Sequence, residues 1–536
     1  MEAEVQREEE EISPLRKVWQ SSPVLIIVGA LLIASAGTAV LFGDEILAWI
    51  EGEPEYDLID FDPAQARVFA EGLVNLGHSE YAGRMSGTAE EHAAAQSNFD
   101  NFTSFGLSGT QDSFSVPMFE ILDTPTLSIC MPGFGGAVAP CSLADLGSAQ
   151  TDFTHREDFV LQGYSGSADL RFVDRVNVID LGNGSEEQPW DTAANNVGIV
   201  WAQSGVGSNT DFFLRAQAND LSGLIIVTFD ASNGENPRGN CMIPGENRCV
   251  PYFKSVDTTQ FTNLPAGIPF IMVSDIVGQQ IMDDVVDGNG LLALSTNVDN
   301  QGEREVKVPC GVLTGKTEKL IIFGGHHDTV YNGPGAIDDT SGSATVLELA
   351  RQFAKMADQK GEPEYTIHFC TWGGEEEGLH GSKAYVAAYQ PTLQENLRLY
   401  VNLDMNHIDI DLETRGKQVT FFGNDARDME HIAGIVEKFK EVNPNGLATK
   451  YDIKMMTMDG AKGTATGMPY NSDHGPFVYD LQREEGDKPG RAIVCYGTGS
   501  WEYHTYKDDM SRFNEESLAV SGIIYGTYAA WLGWGE

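Results

Sequence analysis

The sequence predicts an α/β fold with a mostly parallel central sheet, a β-rich segment inserted into it and a membrane-spanning helix ahead of both. Three observations predict this. Leu320 to Phe323 and Tyr365 to Thr371 are apolar runs that each end in metal-binding side chains. Between them, Thr345 to Met356 carries Val346, Leu349, Ala350 and Phe353 on one helical face. Strand, loop, helix and strand in that order make neighbouring strands parallel and gather ligands at their carboxyl ends. Residues 125–300 consist instead of short β-rich runs punctuated by Gly, Asn, Asp and Pro, and Pro23 to Phe42 contains no charged residue.

A chain of 536 residues exceeds one ordinary core, which predicts two folded domains and an appendage. Its 79 acidic against 34 basic residues, a formal net charge of -45, argue against nucleic-acid binding and disfavour an acidic substrate. The surplus carboxylates read as a solvated, solubilising face. Of seven cysteines at least one stays unpaired. Cys130 with Cys141 and Cys241 with Cys249 bracket short loops and fit small disulfides outside the cytosol. Cys370 and Cys495 lie in apolar runs and read as inert core residues.

In chain order, residues 1–22 read as an acidic, disordered cytoplasmic tail. Residues 23–42 are long enough to cross a bilayer as a helix. Arg16 and Lys17 precede that run while Asp44 and Glu45 follow it, so the positive-inside rule expects a single-pass cell-membrane protein with a cytoplasmic amino terminus and an extracytoplasmic bulk. The alternative is a signal peptide cleaved near Ala34-Ser35-Ala36; the apolar run continues past it to Phe42, which favours an uncleaved anchor. Residues 43–62 are an acidic tether. In 63–124, helices are expected at Ala64 to Leu76, with Val68, Phe69, Leu73 and Leu76 at helical spacing, and at about Ala89 to Phe105. The intervening loop from Gly83 to Thr88 carries no obvious chemistry.

The segment 125–300 reads as an inserted domain with strands at Gly198 to Trp201, Gly223 to Val227 and Ile268 to Val273 and a helix at Asp275 to Val286. It contains no catalytic cluster, and His155 reads as a surface residue. Residues 301–536 resume the parallel pattern. Strands are expected at Arg398 to Leu403, Val419 to Phe422 and Ala492 to Tyr496, and helices at Met429 to Val442 and Asn514 to Leu532. Met455, Met456, Met458 and Met468 read as core filler rather than pocket wall.

The chemistry collects at strand ends. His326 and Asp328 are two apart, so an extended segment points them the same way. Asp338 follows a Gly-Pro-Gly loop that can return the chain to the same spot. Glu375-Glu376 follow a Gly-Gly turn, and Asp404 ends a third strand. So many acidic groups crowded at neighbouring strand ends would raise one another's pKa unless cations sat among them, and imidazole with carboxylate suits zinc.

These residues also carry a resemblance. His326-His327-Asp328-Thr329, Gly335 to Gly342, Trp372 to Gly378, Asn402 to Met405 and Ser472 to Phe477 resemble the co-catalytic di-zinc aminopeptidases of clan MH, the family of bacterial leucyl aminopeptidase, aminopeptidase S and yeast aminopeptidase Y. The resemblance implies a zinc-exopeptidase, phosphorylase/hydrolase-like three-layer sandwich, with 125–300 similar to a protease-associated domain. It implies two zinc ions, one held by His326 and Asp404, the other by Glu376 and His504, with Asp338 bridging. Glu375 would be the general base and Asp328 would orient His326. The Asp338-Asp339 peptide would be cis. His474 and Tyr503 would line the pocket, His474 being the competing candidate for the last ligand. A peptide substrate cleaved at its amino terminus follows. The same scaffold also serves carboxypeptidases of the glutamate carboxypeptidase type, glutaminyl cyclases and transferrin-receptor-like binding proteins. The insert could gate the site or serve as a spacer or partner-binding module. Oligomeric state is not encoded legibly.

Overall fold

The structure is a computed structural model that describes residues 54–133, 141–142, 145–203, 205–232, 238–257, 267–409, 417–481 and 490–535. The expected anchor at 23–42 and tail at 1–22 lie outside them. Among the described residues no helix is long and apolar enough to cross a membrane.

Residues 57–536 form one compact unit built on a large mixed sheet. Its centre is four parallel strands, in the order β15 (Ala492–Tyr496), β12 (Leu397–Leu403), β10 (Thr317–His326) and β11 (Tyr365–Trp372). β13 (Gln418–Gly423) runs antiparallel to β15 and carries β14 (Asp452–Thr457) parallel at the edge. On the other side β9 (Leu291–Leu313) is antiparallel to β11. The mostly parallel sheet expected from sequence is therefore mixed. The βαβ units set the parallel centre, whereas hairpin-like neighbours flank it, and these leave no periodicity of their own.

Period-two alternation buries both faces of β10. Leu320 and Ile322 enter a cluster with Tyr385, Val386, Trp372 and Phe477, while Phe323 on the opposite face stacks on Phe369 and meets Phe353 edge-on. Helices thus cover both sides. One layer contains α1 (Pro63–Val74), α5 (Thr340–Lys360), α8 (Ala426–Val442) and α10 (Glu515–Trp534); α2 (Ala89–Ser104) and α6 (His380–Ala388) pack against β9. α1 starts where Asp62 accepts from the Ala64 and Gln65 amides with Pro63 in the first turn. Val68, expected on its apolar face, is instead exposed. The end of the predicted tether also docks: Ile59 and Phe61 are buried, and the Ile59 amide donates to Thr527 Oγ1 of α10 at 3.1 Å.

β1 (Ser108–Met131) and β9 pair antiparallel from Ser108↔Val312 to Cys130↔Leu291, so the chain leaves the central sheet along one arm and returns along the other. Between the arms, β2 (Ala149–Phe153) adds to β1, and β4 (Ala168–Leu170) pairs with β9. The inserted segment holds a second sheet ordered β3 (Phe159–Leu161), β8 (Phe270–Val273), β7 (Gly223–Val227), β6 (Val197–Trp201) and β5 (Val178–Asp180). Its last four strands are parallel, because α3 (Asn209–Ala218) crosses from β6 to β7. α4 (Asp275–Ile281) continues as a π turn to Val286.

The two short-loop disulfides are present, Cys130–Cys141 and Cys241–Cys249. Cys370 is not the inert thiol expected: it faces Cys310 in the β9–β11 register and is bonded to it, leaving Cys495 buried and free. His155 is half-buried rather than on the surface, its ring stacked on Tyr331 with Nε2 2.9 Å from the phenol oxygen. Met468 is buried as core, whereas Met456 on the edge strand β14 is exposed.

Candidate metal centre

Strand register brings the predicted groups level. Gly324 pairs with Asn402 and His326 with Trp372, so His326, Asp404 and the Glu375-Glu376 turn emerge at one carboxyl edge. Gly374, at φ +84°, makes the turn that lets Glu375 follow Trp372 so closely. Asp338 arrives from the loop before α5 through a cis peptide to Asp339. Asp339 then caps α5, accepting from the Gly342 amide at 2.9 Å, and also accepts from the His326 and Met405 amides. A Cβ on Gly342 would stand 2.1 Å from the Leu403 carbonyl oxygen, so only glycine lets α5 start against β12.

Two hydrogen bonds to backbone carbonyls set the histidine tautomers. His326 Nδ1 donates to the Asp328 carbonyl at 3.1 Å, and His504 Nδ1 donates to the Phe253 carbonyl at 2.9 Å. A carbonyl can only accept, so both rings carry the proton on Nδ1 and free the Nε2 lone pair. Those atoms face opposite oxygens of one carboxylate: His326 Nε2 is 3.3 Å from Asp338 Oδ1, and His504 Nε2 is 3.1 Å from Asp338 Oδ2. Glu376 Oε2 lies 2.9 Å from His504 Nε2, and Glu375 Oε2 3.9 Å from His326 Nε2. Two sets of possible ligands result, His326 with Glu375 and Asp404, and Asp338 with Glu376 and His504, the ligand atoms of each within 4.8 Å of one another.

The donor set fits zinc. His326 Nε2 and Glu376 Oε1 are buried and make no hydrogen bond among the described residues, which leaves lone pairs that a cation would satisfy. The electrostatics agree. Burial pushes the Glu375 carboxyl well above its usual range and the Asp404 carboxyl up to about 6, with neighbouring carboxylates adding to both and His326 opposing. Burial also works to raise Asp338, but the His326 and His504 imidazoles against its two oxygens outweigh it and hold that carboxyl below its usual range. His326 and His504 are raised because Glu375 and Glu376 respectively overcome the desolvation of the imidazolium. Without metal, the cluster must share protons.

The remaining predicted residues separate. Asp328 orients His326 through its backbone carbonyl, with the carboxylate Oδ1 3.6 Å away. That carboxylate instead accepts from the Glu375 and Glu376 amides at 3.3 and 3.2 Å and from Ser86 Oγ at 2.8 Å, because the turn after β11 offers it better donors than the ring does. His474 is buried, hydrogen-bonded to the Pro469 carbonyl, and belongs to neither ligand set. Tyr503 stacks on His504 with ring centres 3.7 Å apart. Asp508, downstream of His504, accepts from the Ile337 and Asp338 amides and so ties the late loop to the chain at Asp338.

Three contributions escaped the sequence reading. Ser86 bonds both Asp328 and Glu377 beneath the site. Arg84, fully buried, donates to the carbonyls of His327 and Pro334 and to Thr340 Oγ1, bracing both metal loops. The inserted segment supplies the Phe253 carbonyl, and its Lys254 Nζ donates to the Tyr503 hydroxyl at 2.7 Å. Arg84→Met would leave those acceptors and the nearby Asp328 and Asp508 charges uncompensated. We expect a loss of about 3–5 kcal/mol in denaturant unfolding; a change below about 1 kcal/mol would mean that Arg84 braces nothing.

Residues 310–528 match the sequence profile of peptidase family M28. An aminopeptidase of Pseudomonas aeruginosa is 38% identical over 232 residues, covering 41% of this chain and 39% of its own length. The probable lipoprotein aminopeptidase LpqL of Mycobacterium tuberculosis is 31% identical over 299 residues, 51% of this chain and 54% of its own. The chain thus spans about half or less of these relatives. BSAP, a zinc aminopeptidase from Bacillus subtilis, superposes with a TM-score of 0.61 over 89% of this chain and 96% of its own, at 17% identity, and so shares the fold. The stretch that matches peptidase family M28, residues 310–528, is also the one that carries His326, Asp338, Glu375, Glu376, Asp404 and His504, so the candidate metal centre lies wholly within the part of the chain that resembles these peptidases.

Proposed function

We propose that the chain is a di-zinc aminopeptidase that removes amino-terminal residues from peptides outside the cell membrane. The carrying observation is the Asp338 carboxylate, with one oxygen turned to the Nε2 atom of each of two imidazoles. In this reading His326 and Asp404 would hold one ion and Glu376 and His504 the other, with Asp338 available to both. Bound there, zinc would acidify a water and polarise the scissile carbonyl. Glu375 takes the proton from the attacking water on Oε2 and returns it to the leaving amine, a role suited to a carboxyl raised by burial. Tyr503, fixed by Lys254 against His504, lines the approach.

Residues 23–42 are read as the anchor, with the peptidase on the extracytoplasmic side. The three disulfides support an oxidising compartment. The segment 125–300 is read as a protease-associated domain.

The test is hydrolysis of aminoacyl-p-nitroanilides by the purified chain. Activity is expected to vanish on chelation and to return with two equivalents of zinc per chain. Restoration at one equivalent would count against the paired site. Cleavage confined to peptides with blocked amino termini would convert the assignment to a carboxypeptidase.

A further inference from the structure

A cavity of about 900 Å³ lies where the inserted segment meets the catalytic half. Its wall includes Tyr503, stacked on His504, and Met405, which follows Asp404, so it opens beside the candidate metal centre. In a chain with 79 acidic and 34 basic residues, none of the described residues lining this cavity is acidic, and two of them, Arg238 and Lys254, are cationic. Both are half-buried. Arg238 Nη2 donates to the Ala202 carbonyl at 3.0 Å and Lys254 Nζ to the Tyr503 hydroxyl at 2.7 Å; neither is paired with a carboxylate among the described residues. Each therefore keeps donors to spare. Ser500 Oγ, in a residue only 6% exposed, and Ser255 Oγ also line the cavity without a hydrogen-bond partner among the described residues.

Half-buried cations and an unpartnered buried hydroxyl are costly unless an anion or another acceptor meets them. The metal centre has the opposite polarity, a nest of carboxylates suited to a substrate ammonium. A short peptide is an ion of matching form, cationic at one end and anionic at the other. Building on the aminopeptidase reading, we propose that this cavity receives the leaving side of a short peptide and binds its carboxylate through Arg238 and Lys254, with Ser500 as a further donor. The volume is that of an ordinary small-ligand pocket, which favours peptides of a few residues over long chains. The inserted segment then selects substrates by length and by the charge of the end that is not cut.

The test compares Leu-Gly-Gly with its carboxyl-terminal amide, and Leu-Glu-Gly-amide with Leu-Gln-Gly-amide, on the zinc-loaded full chain. The first pair reads a terminal carboxylate and the second an acidic side chain. A preference for the carboxylate member of at least one pair, of roughly tenfold in kcat/KM and expressed in KM, is expected from one charge-assisted hydrogen bond. In Arg238→Gln and Lys254→Met that ratio should fall toward one. Because it is internal to each variant, general damage to catalysis cancels. A wild-type ratio near one in both pairs, or a ratio that both variants preserve, overturns the proposal. Calorimetric binding of triglycine against triglycinamide supplies a reading free of turnover. A preference in binding that Arg238→Gln abolishes, with no hydrolysis of any free-amine peptide, would sink the aminopeptidase reading and keep the subsite. Hydrolysis without any preference for the carboxylate in rate or binding would do the reverse.

Discussion

Glu375→Gln is expected to lower kcat by about 10³-fold, within the 10²–10⁴ range of a positioned general base, while KM and zinc content stay near wild type. The substitution conserves shape, and the Glu375 amide keeps its bond to Asp328, so the turn after β11 should hold. What disappears is the ability of Oε2 to accept a proton. The experiment also decides between two roles that the geometry brings close together, because Glu375 lies within ligand range of His326 and Asp404. As a base, its loss leaves two zinc ions per chain and an inactive enzyme. As a ligand, its loss lowers zinc content toward one equivalent, and added zinc restores part of the rate. Retention of more than about a tenth of wild-type kcat would remove Glu375 from either role.

The centre itself was legible because its chemistry is written at strand ends. An apolar run that stops at His326, Glu375 or Asp404 reveals both the strand and what it delivers, since strand ends and ligand types are local properties of the chain. His504 needed the family resemblance, because it stands in a loop with φ +59° and no periodic neighbours. The supporting shell was not legible. A backbone carbonyl has no side-chain signature, so nothing in Tyr252-Phe253-Lys254 announces that it fixes the tautomer of a histidine 251 residues away. Arg84 sits in a short polar loop whose composition fits an exposed turn equally well. Cys310 and Cys370 are 60 residues apart, and only the β9–β11 register makes them partners. The parallel pairing of β5 to β8 was hidden for a related reason: short buried strands look alike whichever way their neighbours run. Residue types and spacing disclose what the chain carries to the site; register and backbone acceptors decide how it is held.

The metal-free protein should lose thermal stability between about pH 5 and 8, while the zinc-loaded protein should not. Burial raises Asp404 to about 6 and Asp473 to about 7, and holds Glu375 and Asp339 well above the ordinary carboxyl range. A carboxyl raised in the folded state favours folding while protonated. Its contribution is complete below the unfolded value, near 4, and is lost as pH rises through the folded one. His326 and His504, raised by their carboxylate neighbours, act in the same direction, adding stability below their ordinary value near 6.5 that fades above it. Asp338 has the opposite sign, but its depressed carboxyl acts only below about pH 4, outside this window. Asp404 alone corresponds to on the order of 1 kcal/mol between pH 5 and 8, the rest of its contribution being lost below pH 5. Zinc replaces the shared protons, so the difference in Tm between loaded and chelated protein should widen with pH and metal binding should release protons. General repulsion at a net charge of -45 also grows with pH, but it acts on both forms and cancels in that difference. Scanning calorimetry at pH 5, 6, 7 and 8 with zinc or chelator reads the effect. Asp404→Asn should flatten the chelated curve, since an amide needs no proton to sit among carboxylates. A chelated Tm that holds or rises from pH 5 to 8 would mean that these groups are not crowded as the geometry requires.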